Sequence, residues 1–181
     1  SQEGTYVINQ FEGPFKKWHP NGALSVVGEY KNHKRHGPFT SWYSSGGKEL
    51  QTHYQYGKRE GIETIWYESG QMRMKGPFKN EQRNGKWMYW HENGSKLAEG
   101  VYLDGKEEGV WMEWEKDGQR IERNFSKGVI NGVFKKWGIN GKKKAESHVV
   151  KGEFHGEWAM WHDNGELMMR GINENSLKEG K

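Results

Sequence analysis

Gly85-Lys86-Trp87-Met88-Tyr89-Trp90-His91-Glu92-Asn93-Gly94, and a little further on Tyr102-Leu103-Asp104-Gly105-Lys106-Glu107-Glu108-Gly109, is the stretch that decides the fold. Two short aromatic-bearing runs are each closed by a Gly-containing turn pair. Asn-Gly is favoured in tight hairpin turns where both residues take positive φ, so Asn93-Gly94 predicts a turn between strands near 85–90 and 95–102. Asp104-Gly105 then turns the chain toward Gly109. A helix does not fit, because each Gly costs about 1 kcal/mol in a helix interior and no apolar stripe of 3.6-residue period survives them.

The pattern repeats in both directions. Gly13, Gly37, Gly61, Gly85, Gly109, Gly132 and Gly156 hold the first position, at steps of 24 with one step of 23. The sixth position is Trp18, Trp42, Trp66, Trp90, Trp114, Trp137 and Trp161, and the tenth is always Gly, from Gly22 to Gly165. The third is Phe15, Phe39, Trp87, Trp111, Phe134 and Trp158, interrupted by Glu63. A late aromatic column holds Tyr30, Tyr54, Phe78, Tyr102 and Phe125, with Tyr6 one repeat earlier. The chain therefore reads as a single array over 1–181: a partial leading repeat at 1–12, then repeats from 13, 37, 61, 85, 109, 132 and 156, with Gly180 opening an eighth. The expected fold class is all-β, an elongated single-layer antiparallel sheet of tandem β-hairpins. The Trp at the sixth position are its expected repeat core, since cross-strand aromatic pairs stabilise each step. The third and sixth positions differ in parity, so either the strand bulges or both faces carry aromatics.

Composition agrees. Only 32% of residues are hydrophobic and 29% are charged, yet there are 10 Trp, 8 Tyr and 7 Phe; large aromatics can carry a thin core where aliphatics are scarce. The absence of Cys excludes disulfides and thiolate chemistry. No run approaches the roughly 20 apolar residues of a membrane helix. The first residue is Ser1, and export with a leader removed is favoured over a cytoplasmic location.

The run Gly-x-Trp-x-x-Trp-(Tyr/His)-x-Asn-Gly with a later Tyr-x-(Asp/Asn)-Gly-Lys-x-x-Gly resembles the bacterial variant of the MORN repeat. The resemblance implies a β-hairpin array with interaction functions: scaffolding, protein binding, sometimes lipid contact, and antitoxin-like roles in bacteria. The third repeat departs from the pattern at Ile62-Glu63.

Nothing in the sequence points to an enzyme or a cofactor. His19, His91 and His162 share the seventh position, but neighbours lie six strands apart, roughly 29 Å, too far to share a metal. His33 and His36 fall in a turn, and the carboxylates are scattered. Charge is blocked along the chain: 99–117 is acidic, whereas Lys135, Lys136, Lys142, Lys143 and Lys144 form a basic patch. Such blocks suit electrostatic complementarity to a protein partner. At the fourth and fifth positions, polar in other repeats, Ile65, Met88, Tyr89 and Met112, edged by Tyr67 and His91, are the expected partner-binding patch. The expected function is a non-catalytic protein-binding or scaffold repeat, an accessory of a larger bacterial assembly or an antitoxin-like binder. The alternative is binding of anionic lipid or nucleic acid through the Lys-rich C-terminal repeats. Nucleic acid is disfavoured by the acidic belt, and three consecutive lysines give only weak peripheral membrane contact.

Overall fold

The computed structural model describes residues 2–7 and 10–173; Gly180 and the side chain of Tyr6 lie outside the described part. The chain falls into two compact bodies, Ser1–Ser95 and Lys96–Lys181. Each is all-β and antiparallel, with no helix among the described residues. The first holds strands Gln2–Val7, Gln10–Trp18, Leu24–Lys31, Lys34–Arg35, Gly37–Trp42, Lys48–Gln55, Lys58–Arg59, Gly61–Trp66, Met72–Lys79, Gln82–Arg83 and Gly85–Trp90. The second holds Lys96–Leu103, Lys106–Trp114, Arg120–Ser126, Val129–Trp137, Lys143–Val150, Glu153–Trp161 and Leu167–Asn173. Within each body strands pair antiparallel with those that precede and follow them, as in Gly37–Trp42 with Lys48–Gln55 and Val129–Trp137 with Lys143–Val150.

The two turns of a repeat exchange the roles expected of them. At the Asn-Gly turn only the Gly takes positive φ, for example 86° at Gly22 and 85° at Gly94. Gly22 N–H donates to His19 O at 3.0 Å and His19 N–H to Ala23 O at 2.8 Å, a type I turn closed by a left-handed Gly. Asn is placed there by its side chain: Asn21 Oδ1 accepts from Ala23 N–H at 3.0 Å, and Asn93, Asp117, Asn140 and Asn164 do the same. Two consecutive positive-φ residues occur instead between repeats, at Asn32-His33, Tyr56-Gly57, Asn80-Glu81, Asp104-Gly105, Lys127-Gly128 and Lys151-Gly152. These are the turns that match the strand twist.

Both resolutions of the parity problem hold. In strand Gly37–Trp42 the burial pattern alternates: Phe39 and Ser41 are buried, Thr40 and Trp42 half-buried. The third-position and sixth-position aromatics therefore lie on opposite faces. The partner strand also bulges beside the Trp, because Ser41 pairs with Leu50 and Trp42 with Lys48, leaving Glu49 as the extra residue. Ser25, Arg73, Lys144 and Met168 are the equivalent extras. The fifth repeat, one residue short, runs unbroken from Gly109↔Phe125 to Trp114↔Arg120. What it lost is the bulge.

The buried core is formed by the third-position and late aromatics: Phe15, Phe39, Tyr54, Phe78 and Trp87 in the first body, Tyr102 and Trp111 in the second. Phe39 and Tyr54 meet edge-on at 5.5 Å, as do Phe78 and Trp87 at 5.2 Å and Tyr102 and Trp111 at 5.0 Å. Trp87 is fully buried, and its Nε1–H donates to Pro77 O at 3.0 Å. The approach needs glycine. A Cβ on Gly76 would stand 2.3 Å from the Trp87 ring, one on Gly100 2.1 Å from Trp111, and one on Gly28 2.7 and 2.9 Å from Phe15 and Phe39.

Candidate binding surface

The polar columns of the repeat are largely committed to joining one repeat to the next. The seventh residue reaches the backbone carbonyl of the following repeat's Trp: His19 Nε2–H donates to Trp42 O at 2.8 Å, Tyr43 Oη to Trp66 O at 2.7 Å and Tyr67 Oη to Trp90 O at 2.9 Å. Burial, and after it the charge of Glu49, pushes the Tyr43 phenol above its ordinary pKa, which keeps it a donor. Where it is Glu, the residue before the first-position Gly accepts from the next inter-repeat turn. Glu12 takes Asn32 N–H at 2.7 Å, Glu60 takes Asn80 N–H at 2.9 Å and Glu108 takes Lys127 N–H at 2.8 Å.

The sixth-position Trp column sits on the other face. Trp18, Trp42, Trp66, Trp90, Trp114, Trp137 and Trp161 are all half-buried. Four carry a cation over the ring: Lys48 on Trp66 at 5.7 Å, Lys96 on Trp114 at 5.2 Å, Arg120 on Trp137 at 4.5 Å and Lys143 on Trp161 at 5.1 Å. Each cation is the twelfth residue of the preceding repeat. The core face of the first body is covered differently, by Arg35 over Phe39, Arg59 over Phe78 and Arg83 over Trp87, at 4.7, 3.9 and 4.6 Å.

The departure at Glu63 is a polar substitution inside that core. Glu63 is 3% exposed, and Arg59 lies 3.4 Å from its carboxylate while also bridging to Glu81 at 2.6 Å. Desolvation raises the Glu63 pKa, against the opposing pull of Arg59. Where the other core glycines would stand, the second repeat has Thr52, paired with Phe39 in the sheet.

The residues expected in one apolar patch are divided by the sheet. Ile65 and Tyr89 both pair with Met74 and form one row; Tyr89 stacks on Trp87 at 6.2 Å and its hydroxyl accepts from Arg83 at 3.3 Å. Met88, the neighbour of Tyr89 in a regular strand, points to the opposite face with Trp90, half-buried opposite Lys75. Tyr67 is bonded to the Trp90 carbonyl, and half-buried His91 closes its turn through its backbone. Met112 belongs to the second body, half-buried between Glu99 and Glu122. No sequence signal separates Met88 from Tyr89 until the parity of the strand is known.

The basic patch is largely offset by acids. Lys135 pairs with Glu122 at 3.2 Å, Lys143 with Glu146 and Lys144 with Asp163. Lys142 donates to Asn164 O at 2.7 Å. Lys135 and Lys136 also lie on opposite faces of their strand, facing Glu146 and Ala145 across it.

A sequence model of the MORN repeat variant matches residues 11–32, 59–80 and 83–104, which are the first, third and fourth repeats from the residues ahead of their opening Gly to the inter-repeat turn. No curated protein matches the chain. MORN repeats are in general binding or scaffold units rather than catalysts, and no helix among the described residues is long and apolar enough to cross a membrane.

Proposed function

We propose that this chain is a non-catalytic repeat protein that binds another protein through the face of its bodies that carries the sixth-position Trp of each, as an accessory of a larger assembly. One observation carries the reading. On that face a constant half-buried Trp stands in every repeat beside a fourth-position residue that changes along the chain: Lys16, Thr40, Thr64, Met88, Met112, Lys135, Ala159. Constant aromatics beside variable neighbours suit recognition, because Trp, Tyr and Met are enriched at interfaces and Trp is prominent among residues whose loss costs binding most. The opposite face of the first body is occupied by its own core and by Arg35, Arg59 and Arg83. Of the apolar residues singled out in the sequence, Met88 in the first body and Met112 in the second each belong to the Trp-bearing face of their own body, and Ile65 and Tyr89 to packing.

A photo-crosslinking residue placed at Met88 or, one residue on, at Tyr89 tests this in the native host. Adducts with a defined protein from position 88 and few from position 89 are expected. Adducts from 89 alone, or equally from both, would overturn the choice of face.

A further inference from the structure

The repeat that lost its bulge also holds a cation left without an acid. At the twelfth position of the second body stand Lys96, Arg120 and Lys143, each over the sixth-position Trp of the following repeat. Two of them are matched three residues on: Lys96 bridges to Glu99 at 3.0 Å, and Lys143 to Glu146. In the fifth repeat the bulge residue is missing, so the acid, Glu122, follows Arg120 at two residues rather than three. Glu122 pairs instead with Lys135, at 3.2 Å. Arg120 makes no ion pair among the described residues, and its Nε–H is buried there without an acceptor.

The surroundings of Arg120 hold it in place. It faces Trp114 across one neighbouring strand and Trp137 across the other, and all three side chains are half-buried. The guanidinium lies 4.5 Å from the Trp137 ring centre. Stacking fixes the plane of the guanidinium, so less freedom is lost when its fork of donors forms hydrogen bonds. Trp and Arg are also the residue types whose loss costs binding most at protein interfaces.

The neighbouring charges decide which anion fits. Lys96, Lys135 and Lys143 are each matched by a Glu, which leaves Arg120 as the unmatched charge of this cluster among the described residues. A nucleic acid or other polyanion draws its affinity from many phosphate contacts at once. A single planar guanidinium fits a single carboxylate, which it holds through two parallel N–H···O bonds.

With the Trp-bearing face read as the partner surface, on which this inference rests, we propose that Arg120 receives an Asp or Glu side chain of the partner protein. The carboxylate lies in the plane of the guanidinium, with Trp114 and Trp137 as walls. It cancels the charge that Glu122 leaves unmatched, and the two rings keep water from the pair, which strengthens it.

A photo-crosslinking residue at Met112, on the same face two residues before Trp114, reads the contact in the native host. An adduct with a defined protein is expected. Arg120→Glu should reduce it about tenfold or more, ~1.4 kcal/mol, whereas Lys142→Glu, a charge reversal outside the cluster, should leave it unchanged. Mass spectrometry of the adduct locates the partner segment, and changing its nearest Asp or Glu to Arg should restore capture by the Arg120→Glu chain. That rescue separates loss of the contact from loss of the fold. Should circular dichroism show the Glu variant unfolded, Arg120→Gln gives the second reading and should weaken the adduct on its own. An adduct undiminished by either variant, or a folded Glu variant that the partner's Arg does not rescue, would overturn the assignment while leaving the partner face standing. No protein adduct from Met112 with Arg120 intact, or an adduct with nucleic acid, would overturn both.

Discussion

Two junctions of the first body solve the same packing problem with opposite chemistry. At one, Gly76 leaves room and Trp87 fills it, fully buried, 2.3 Å from where a Cβ would be; Gly28 does the same for Phe15 and Phe39. At the other, Thr52 takes the place of the glycine and Glu63 that of the aromatic, buried and held by Arg59. A residue with a Cβ has displaced the large ring from its neighbour, and a carboxylate anchored by an arginine already stacked on Phe78 has come in. At this junction the volume is shared between two columns, and the departure in one is answered in the other. The aromatic junction is held by packing and the polar one by a charge pair whose desolvation works against it.

The harshest way to break the comparison is Gly76→Val. With the Cβ inside the Trp87 ring, overpacking should cost about 3 kcal/mol, read as a lower urea midpoint. Exchange at the polar junction sharpens it. Glu63→Trp alone should cost roughly 2 kcal/mol by crowding Thr52, and Thr52→Gly added to it should recover most of that loss. A double-mutant coupling of about 1–3 kcal/mol is expected, and strict additivity would show that the two columns do not share space.

A smaller effect belongs to the carboxylate itself. The Glu63 pKa is raised on folding, so the folded state binds this proton more readily than the unfolded chain. Stability should therefore fall as pH rises from the ordinary carboxylate range through the folded pKa, and the penalty is fully present above it. Glu63→Gln should flatten that dependence in thermal melts taken across acid to neutral pH; a variant that follows the parent pH curve would remove Glu63 as its source. Smallest is Tyr67→Phe, which deletes one tether to the Trp90 carbonyl and should cost about 1 kcal/mol, less than any change at the glycine column.

The all-β hairpin architecture was legible because period, Gly-bearing turns and aromatic columns are local signals that agree. The site was not. Met88 and Tyr89 are adjacent and both large, and only their pairing with Lys75 and Met74 shows that one turns away from the core and the other packs on Trp87. Tyr67 suggested the rim of a patch, yet its hydroxyl bonds to the Trp90 carbonyl 23 residues away, as His19 and Tyr43 bond to the equivalent carbonyls in their repeats. The lysines counted as one patch are distributed over two faces, and Lys135, Lys143 and Lys144 are paired with acids.

By itself, then, the sequence determined that this protein is all-β and built of antiparallel hairpin repeats, since turn preference and periodicity act over a few residues. Tertiary structure alone decided which aromatics form the core and which meet solvent. The third- and sixth-position aromatics take opposite faces by simple alternation along the strand, but which of the two faces is closed over depends on what the neighbouring strands lay across it rather than on either strand alone.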